Sequence, residues 1–211
     1  MIFQINEQKD KFVEDIYNKS MIELDKFFEI GWIRNTPFIF VVPDRKTIEK
    51  LRRRKTEKWV VAWASTTSRI VYLLDRKNFE KESSHKYSKE EYTALIKHEL
   101  THQFITAYSK LFLIKPHWLE EGIAIYLSGQ NKFKKPITKF SKFLDFYDKF
   151  GKGVYNESGF FIELLVKNFG KEKLLDLIKS LKEIKSEKKF NKKFKEIYGF
   201  DLNYREINKL K

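Results

Sequence analysis

The sequence predicts an α+β fold: a small mixed or antiparallel sheet lobe that carries one long helix, followed by a lobe built of helices. Three observations carry this. Short runs rich in β-branched and aromatic residues are confined to the stretch between Phe38 and Leu74. Apolar residues at helical spacing fill the chain before and after that stretch. No internal repeat or long linker interrupts the order helix, strands, helices.

The first helix is expected from about Asn6 to Glu29, where Phe12, Val13, Ile16, Tyr17, Ile22, Leu24, Phe27 and Phe28 recur at helical periodicity and Gly31 stops the run. Phe38–Val42 is a short β-rich run ended by Pro43, and Thr47–Lys55 is expected to be a short helix. Trp59–Ala64 and Arg69–Leu74 flank a Ser/Thr turn, which predicts an antiparallel pair. Either of the two could be the sheet edge. Ser88 stands three residues before Glu91, a capping-box start for a helix over about Lys89–Tyr108, with Leu95, Ile96, Leu100, Phe104 and Ile105 at helical spacing. Pro116 suits the first turn of the next helix. That helix is apolar nearly all round through Leu127, which marks it as buried, and Gly129 is placed to end it. Further helices are expected near Ser141–Phe150, Ser158–Phe169, Lys171–Ile184 and Glu187–Tyr198. The 211 residues are read as a single domain, with a sheet lobe over about 1–110, a helical lobe over about 111–211, and a cleft between them.

The long helix carries His98-Glu99-Leu100-Thr101-His102, an H-E-x-x-H pattern. Residues four apart share a helix face, so both imidazoles can reach one metal ion, and Glu99 can serve as base toward the attacking water. All three lie among apolar residues, so the polar groups are expected to be buried and to need partners. The next helix holds Trp118-Leu119-Glu120-Glu121-Gly122-Ile123-Ala124. A carboxylate in so apolar a helix calls for a partner or a metal, and two histidines with one glutamate make a catalytic zinc set with one open position. Neighbours on a helix point about 100° apart, so Glu120 and Glu121 cannot both face the site. One of them is expected to face solvent or substrate. His117, one turn before Glu121, is read as a surface histidine at the helix start.

Taken together, these two segments resemble the gluzincin metallopeptidases, in which H-E-x-x-H is followed by a helix bearing the third ligand in a W-L-x-E-G-x-A context. The resemblance implies a zincin-like fold, one Zn2+ per chain, Glu121 as third ligand after His98 and His102, Glu99 as general base, and hydrolysis of peptide or protein substrates. Eighteen residues separate His102 from Glu121, a spacing similar to the aminopeptidase-like branch, and the nearest likeness is to the peptidase MA-like, minigluzincin-type domains. The likeness is strong over His98–Ala124. It also implies an oxyanion-stabilising tyrosine ahead of a later helix, a position that falls on Tyr155; a ring packed at a helix start is the competing account. The chain departs from the family in two places. Ile125 stands where many gluzincins carry an aspartate that orients a ligand histidine, and the G-x-M-E-N segment of true aminopeptidases is absent.

Composition bounds the rest. The net charge is +14, with a local run at Arg52-Arg53-Arg54-Lys55 and a lysine-rich tail from Lys171. This is consistent with solvated helix faces or with attraction to anionic partners. No nucleic-acid recognition motif is present, so no specific nucleic-acid binding is expected. Cysteine is absent, which excludes disulfides, thiolate metal sites and a cysteine nucleophile. Residues 1–7 lack the pattern of a signal peptide and no apolar run reaches membrane-spanning length, so a cytoplasmic location and no transmembrane segment are expected. Two other readings stay open: a latent zinc domain whose cleft is plugged by Tyr198–Lys211, and a basic nucleic-acid- or membrane-binding protein in which the motif is accidental.

Overall fold

The computed structural model describes residues 7–149 and 151–211. It is an α+β protein with nine α-helices among the described residues and a three-stranded mixed sheet. Helix α1 (Lys11–Phe28) begins where the Asp10 carboxylate accepts the Phe12 and Val13 N–H groups, and it ends on Glu29 in the left-handed region. Asn6, the expected start, lies outside the described residues. Strand β1 (Phe38–Val42) leads into α2 (Arg45–Arg52), then β2 (Ala62–Ser65) and β3 (Ile70–Leu74). The sheet order is β1-β3-β2, with β1 parallel and β2 antiparallel to β3. The expected antiparallel pair is present, and β2 is a free edge.

Helix α3 (Phe79–Glu82) is a single turn, and α4 (Lys89–Ser109) follows, capped by Ser88 as the sequence predicts. Two side chains tie α4 to the sheet along its length. The Tyr92 hydroxyl donates to the Leu74 carbonyl at 2.8 Å, and Gln103 Nε2 donates to Ser65 O and Ile70 O at 3.2 and 3.3 Å. Arg45 fixes the segment before β2 in the same way. Its guanidinium donates to the carbonyls of Glu57, Lys58, Val60 and Glu82. One half-buried fork thereby holds residues that would otherwise be an unsupported loop.

Helix α5 (His117–Ser128) is buried almost all round, with Trp118, Leu119, Ile123, Ala124 and Ile125 at most 1% exposed. Pro116 offers no side-chain cap, and the backbone supplies one from elsewhere. His117 N–H bonds Tyr147 O and Trp118 N–H bonds Phe146 O, both at 3.1 Å.

That cap accounts for a correction. A helix was expected over Ser141–Phe150; among the described residues it is one 3-10 turn at Phe143–Asp145, and Phe150 lies outside them. The backbone groups a helix would use internally are taken by tertiary partners. The buried Glu157 carboxylate accepts the N–H groups of Ser141, Lys142 and Phe143, the Tyr204 hydroxyl accepts that of Leu144, and the carbonyls of Phe146 and Tyr147 serve α5.

Helix α6 (Lys152–Phe169) begins earlier than expected and takes in Tyr155. It is followed by α7 (Lys171–Ser180), α8 (Glu187–Tyr198) and α9 (Tyr204–Ile207). The segment from Leu181 to Glu183, expected to continue α7, is a 3-10 turn. Helices α5 and α6 are in close contact because glycines meet the opposite helix. A Cβ on Gly122 would lie 2.9 Å from Ser158 O and 2.8 Å from Ile162 Cγ1, and one on Gly159 would lie 2.2 Å from Ile125 Cγ2.

Gly122→Ala must push α5 away from α6 backbone, since a carbonyl cannot rotate aside as a side-chain tip can. The expected cost is about 1–3 kcal/mol, the usual range for overpacking a tight core. It should show as an earlier midpoint in urea unfolding, and an unchanged midpoint would rule out this close approach.

Candidate metal centre

Helix α4 presents His98, Glu99 and His102 toward α5, and α5 presents Glu121 back toward them. All four are buried, between 6% and 8% exposed. His98 Nε2 and His102 Nε2 are 3.2 Å apart, and Glu121 Oε2 lies 3.3 Å from the first and 3.9 Å from the second. Atoms held about 2.0–2.1 Å from a tetrahedral ion stand about 3.3–3.4 Å from one another. The observed triangle is therefore close to that size without rearrangement. Glu121 Oε2 is buried and, although beside His98, makes no hydrogen bond. A buried carboxylate oxygen left in that state is costly unless a cation takes it. His98, His102 and Glu121 thus form a group that could hold a metal ion.

Glu120 is the residue the sequence reading placed wrongly. It was expected to face solvent or substrate, yet its side chain is only 18% exposed and its Oε1 lies 3.3 Å from His102 Nδ1. It orients that imidazole so that Nε2 faces the other two donor atoms, a role found beside many metal-ligating histidines. Its other oxygen approaches His117 Nδ1 at 4.0 Å. His117 is 3% exposed, which overturns its reading as a surface histidine. Burial pushes Glu120 toward its neutral form, but the hydrogen bonds and charges of His102 and His117 outweigh this and hold it at about 2. The partner sought at position 125 is thus supplied from position 120; Ile125 is fully buried and packs against α6 instead. The one available signal was the presence of two carboxylates in a helix too apolar to leave either in water.

Glu99 points toward the sheet. Burial raises its pKa first of all, the two histidines lower it, Glu121 raises it, and the Ala64 backbone N–H of β2 lies close enough to favour its charged form. Tyr155, in the first turn of α6, reaches the same place. Its hydroxyl is raised by burial, by the Glu121 and Glu99 charges, and by a hydrogen bond to Glu121. Its ring meets Trp59 edge-on at 6.3 Å. All five residues singled out in the sequence, His98, Glu99, His102, Glu121 and Tyr155, converge on one site.

The site opens into a cavity of about 400 Å3 that runs along α4 through Ser88, Glu91, Tyr92 and Leu95. One wall is the segment from Trp59 to Ala62, and the other includes Phe133, Lys134 and Tyr155. Lys134 was not singled out in the sequence. Its Nζ donates to Tyr155 O at 2.6 Å, and burial, partly offset by Glu121, lowers it to about 8. The C-terminal segment does not plug this cleft. Asn208 bonds both the N–H and the carbonyl of Phe140, Tyr204 holds Leu144, and no residue of 198–211 lines the cavity.

Comparisons of the chain with protein-family models, with curated proteins and with solved structures give no match.

Alanine at His98, His102 or Glu121 removes one of three donors and should abolish tight binding of one divalent transition ion per chain in isothermal titration. Glu120→Ala should keep the stoichiometry and weaken affinity by about 10–100-fold, the usual loss when an orienting partner is removed. Unchanged affinity in Glu120→Ala would separate Glu120 from the metal group.

Proposed function

We propose that the protein is a zinc-dependent metallopeptidase of the gluzincin kind, with a zincin-like arrangement of sheet edge, active-site helix and glutamate helix. The observation that carries the reading is the convergence of two imidazoles and one carboxylate on a single point, with Glu99 one residue along the same helix and a free strand edge beside it. Neutral imidazoles with carboxylates suit zinc, and the absence of cysteine leaves no competing thiolate set. When bound, zinc supplies a Lewis acid that polarises a carbonyl and lowers the pKa of water toward about 7.

The chain's own residues supply the remainder. Glu99, buried beside the two histidines, takes as carboxylate the proton of the attacking water and delivers it to the leaving amine. Tyr155 donates from its hydroxyl to the oxyanion that develops on the scissile carbonyl. The register of β2 favours an extended substrate. Leu74 N–H bonds Val61 O, so residues alternate along the strand and Ala62 and Ala64 turn their peptide groups to the free edge. A peptide pairing there passes the site as an added strand, with side chains entering alternately. The cavity beside it, walled by Trp59, Val61, Phe79, Tyr92, Leu95 and Phe133, favours a large apolar side chain next to the scissile bond.

Glu99→Gln is expected to bind zinc with parental affinity and to lose nearly all hydrolysis of a peptide library, because an amide cannot accept the proton. Parental turnover in that variant would sink the mechanism. Tyr155→Phe should lower kcat by about 10²–10³ with little change in KM, the scale of one lost oxyanion donor. Activity within a few-fold of the parent would reduce Tyr155 to a packing residue.

A further inference from the structure

Four exposed apolar side chains belong to loops, or in Phe38 to the first residue of β1, that meet at one end of the molecule, away from the cleft. Ile33 is 85% exposed, Phe38 66%, Phe112 68% and Leu113 65%. The loops are the α1–β1 connection, the β2–β3 turn and the α4–α5 connection. Trp32, Arg34, Thr66, Arg69, Lys110 and Phe112 line one shared groove there. The contact is also made by backbone: Phe38 N–H bonds Arg69 O at 2.9 Å, and the Arg69 guanidinium reaches Asn35 O at 3.3 Å.

The stretches of chain that form this pole carry basic residues and no acidic ones. The chain has 29 acidic residues, yet none occurs from Ile30 to Pro43, from Val60 to Leu74 or from Leu100 to Leu119. Three acidic groups on neighbouring elements have partners of their own. Asp25 accepts the Trp32 N–H, Glu29 is paired with Lys171, and Asp148 is paired with Lys115. Arg34, Arg69 and Lys110 are left as cations around exposed apolar tips.

We propose that this pole docks on an anionic lipid surface, with Ile33, Phe112 and Leu113 entering the interface and Arg34, Arg69 and Lys110 meeting the headgroups. An exposed apolar cluster ringed by cations matches the two layers of such an interface, an apolar boundary beneath negative charge. A nucleic acid offers the charge without the apolar layer, and the aliphatic Ile33 and Leu113 have no ring to stack on its bases. No described helix is long and apolar enough to cross a membrane, and the association proposed is at the lipid surface. Lys110 lies eight residues beyond His102 on or just after α4, about 12 Å at 1.5 Å per residue, while the cavity runs from Glu99 toward Ser88 in the other direction. Docking at the pole thus leaves the cleft open. The proposal is independent of the proposed hydrolysis.

The test is co-sedimentation of the full chain with vesicles of phosphatidylcholine alone and of phosphatidylcholine mixed with phosphatidylglycerol. Three cations near the surface should favour the mixed vesicles on the order of 100-fold, with loss at high salt. The triple variant Ile33→Ser, Phe112→Ser, Leu113→Ser should keep the parental circular dichroism spectrum and Tm and bind mixed vesicles at least about tenfold less well, since each loses its buried apolar area. The proposal is overturned by a parent that binds neither vesicle, or by a triple variant that binds as the parent does. It is equally overturned if the parent self-associates in ultracentrifugation and the triple variant does not, which would assign the patch to a second copy of the chain.

Discussion

The constraint on which the rest of the molecule depends is the withdrawal from water of three carboxylates between two packed helices, Glu99 and Glu121 buried and Glu120 largely so. None can be left there without a compensating charge or hydrogen bond. Each has its own solution: Glu121 converges with His98 and His102, Glu120 with His102 and His117, and Glu99 with the histidines and the β2 backbone. These pairings hold only at one register of α4 against α5. A shift of one residue on either helix would rotate the donors by about 100° and leave buried charge unpartnered.

Much of the surrounding architecture serves that register. Tyr92 and Gln103 pin α4 to the sheet on either side of the histidines. Gly122 on α5 and Gly159 on α6 let the two helices lie close together, and the carbonyls of Phe146 and Tyr147 fix the first turn of α5, where His117 and Glu120 stand. The loop that provides those carbonyls is itself held by the Glu157 carboxylate, so a buried charge on α6 organises the start of α5. The proposed oxyanion donor, Tyr155, sits two residues before Glu157 in the same helix. The position of the hydroxyl and the shape of the loop are therefore set by one rigid element.

The motif helix and the glutamate helix were legible because both are written in local signals: Ser88 at a cap, apolar residues every third or fourth position, Pro116 and Gly129 at the ends. The run of three strands was legible for the same reason, as β-rich composition and turn residues act over a few positions. Residues 141–149 were misread because their composition is compatible with a helix, while their hydrogen-bonding groups are claimed by Glu157, Tyr204 and α5. Tyr155 was placed ahead of a helix that in fact begins before it, at Lys152.

By itself, then, the sequence determined the donor types, the helices that carry them and the spacing that puts His98 and His102 on one face, because helix geometry converts a four-residue interval directly into direction. Only the tertiary structure decided that both adjacent glutamates meet histidines, Glu121 at the two Nε2 atoms and Glu120 at His102 Nδ1, that β2 rather than β3 lies at a sheet edge, and that Trp59 and Lys134 wall the cleft. Each of these depends on a contact between residues far apart in the chain. Such a contact is selected by the joint packing of several elements and leaves no periodicity in any one of them.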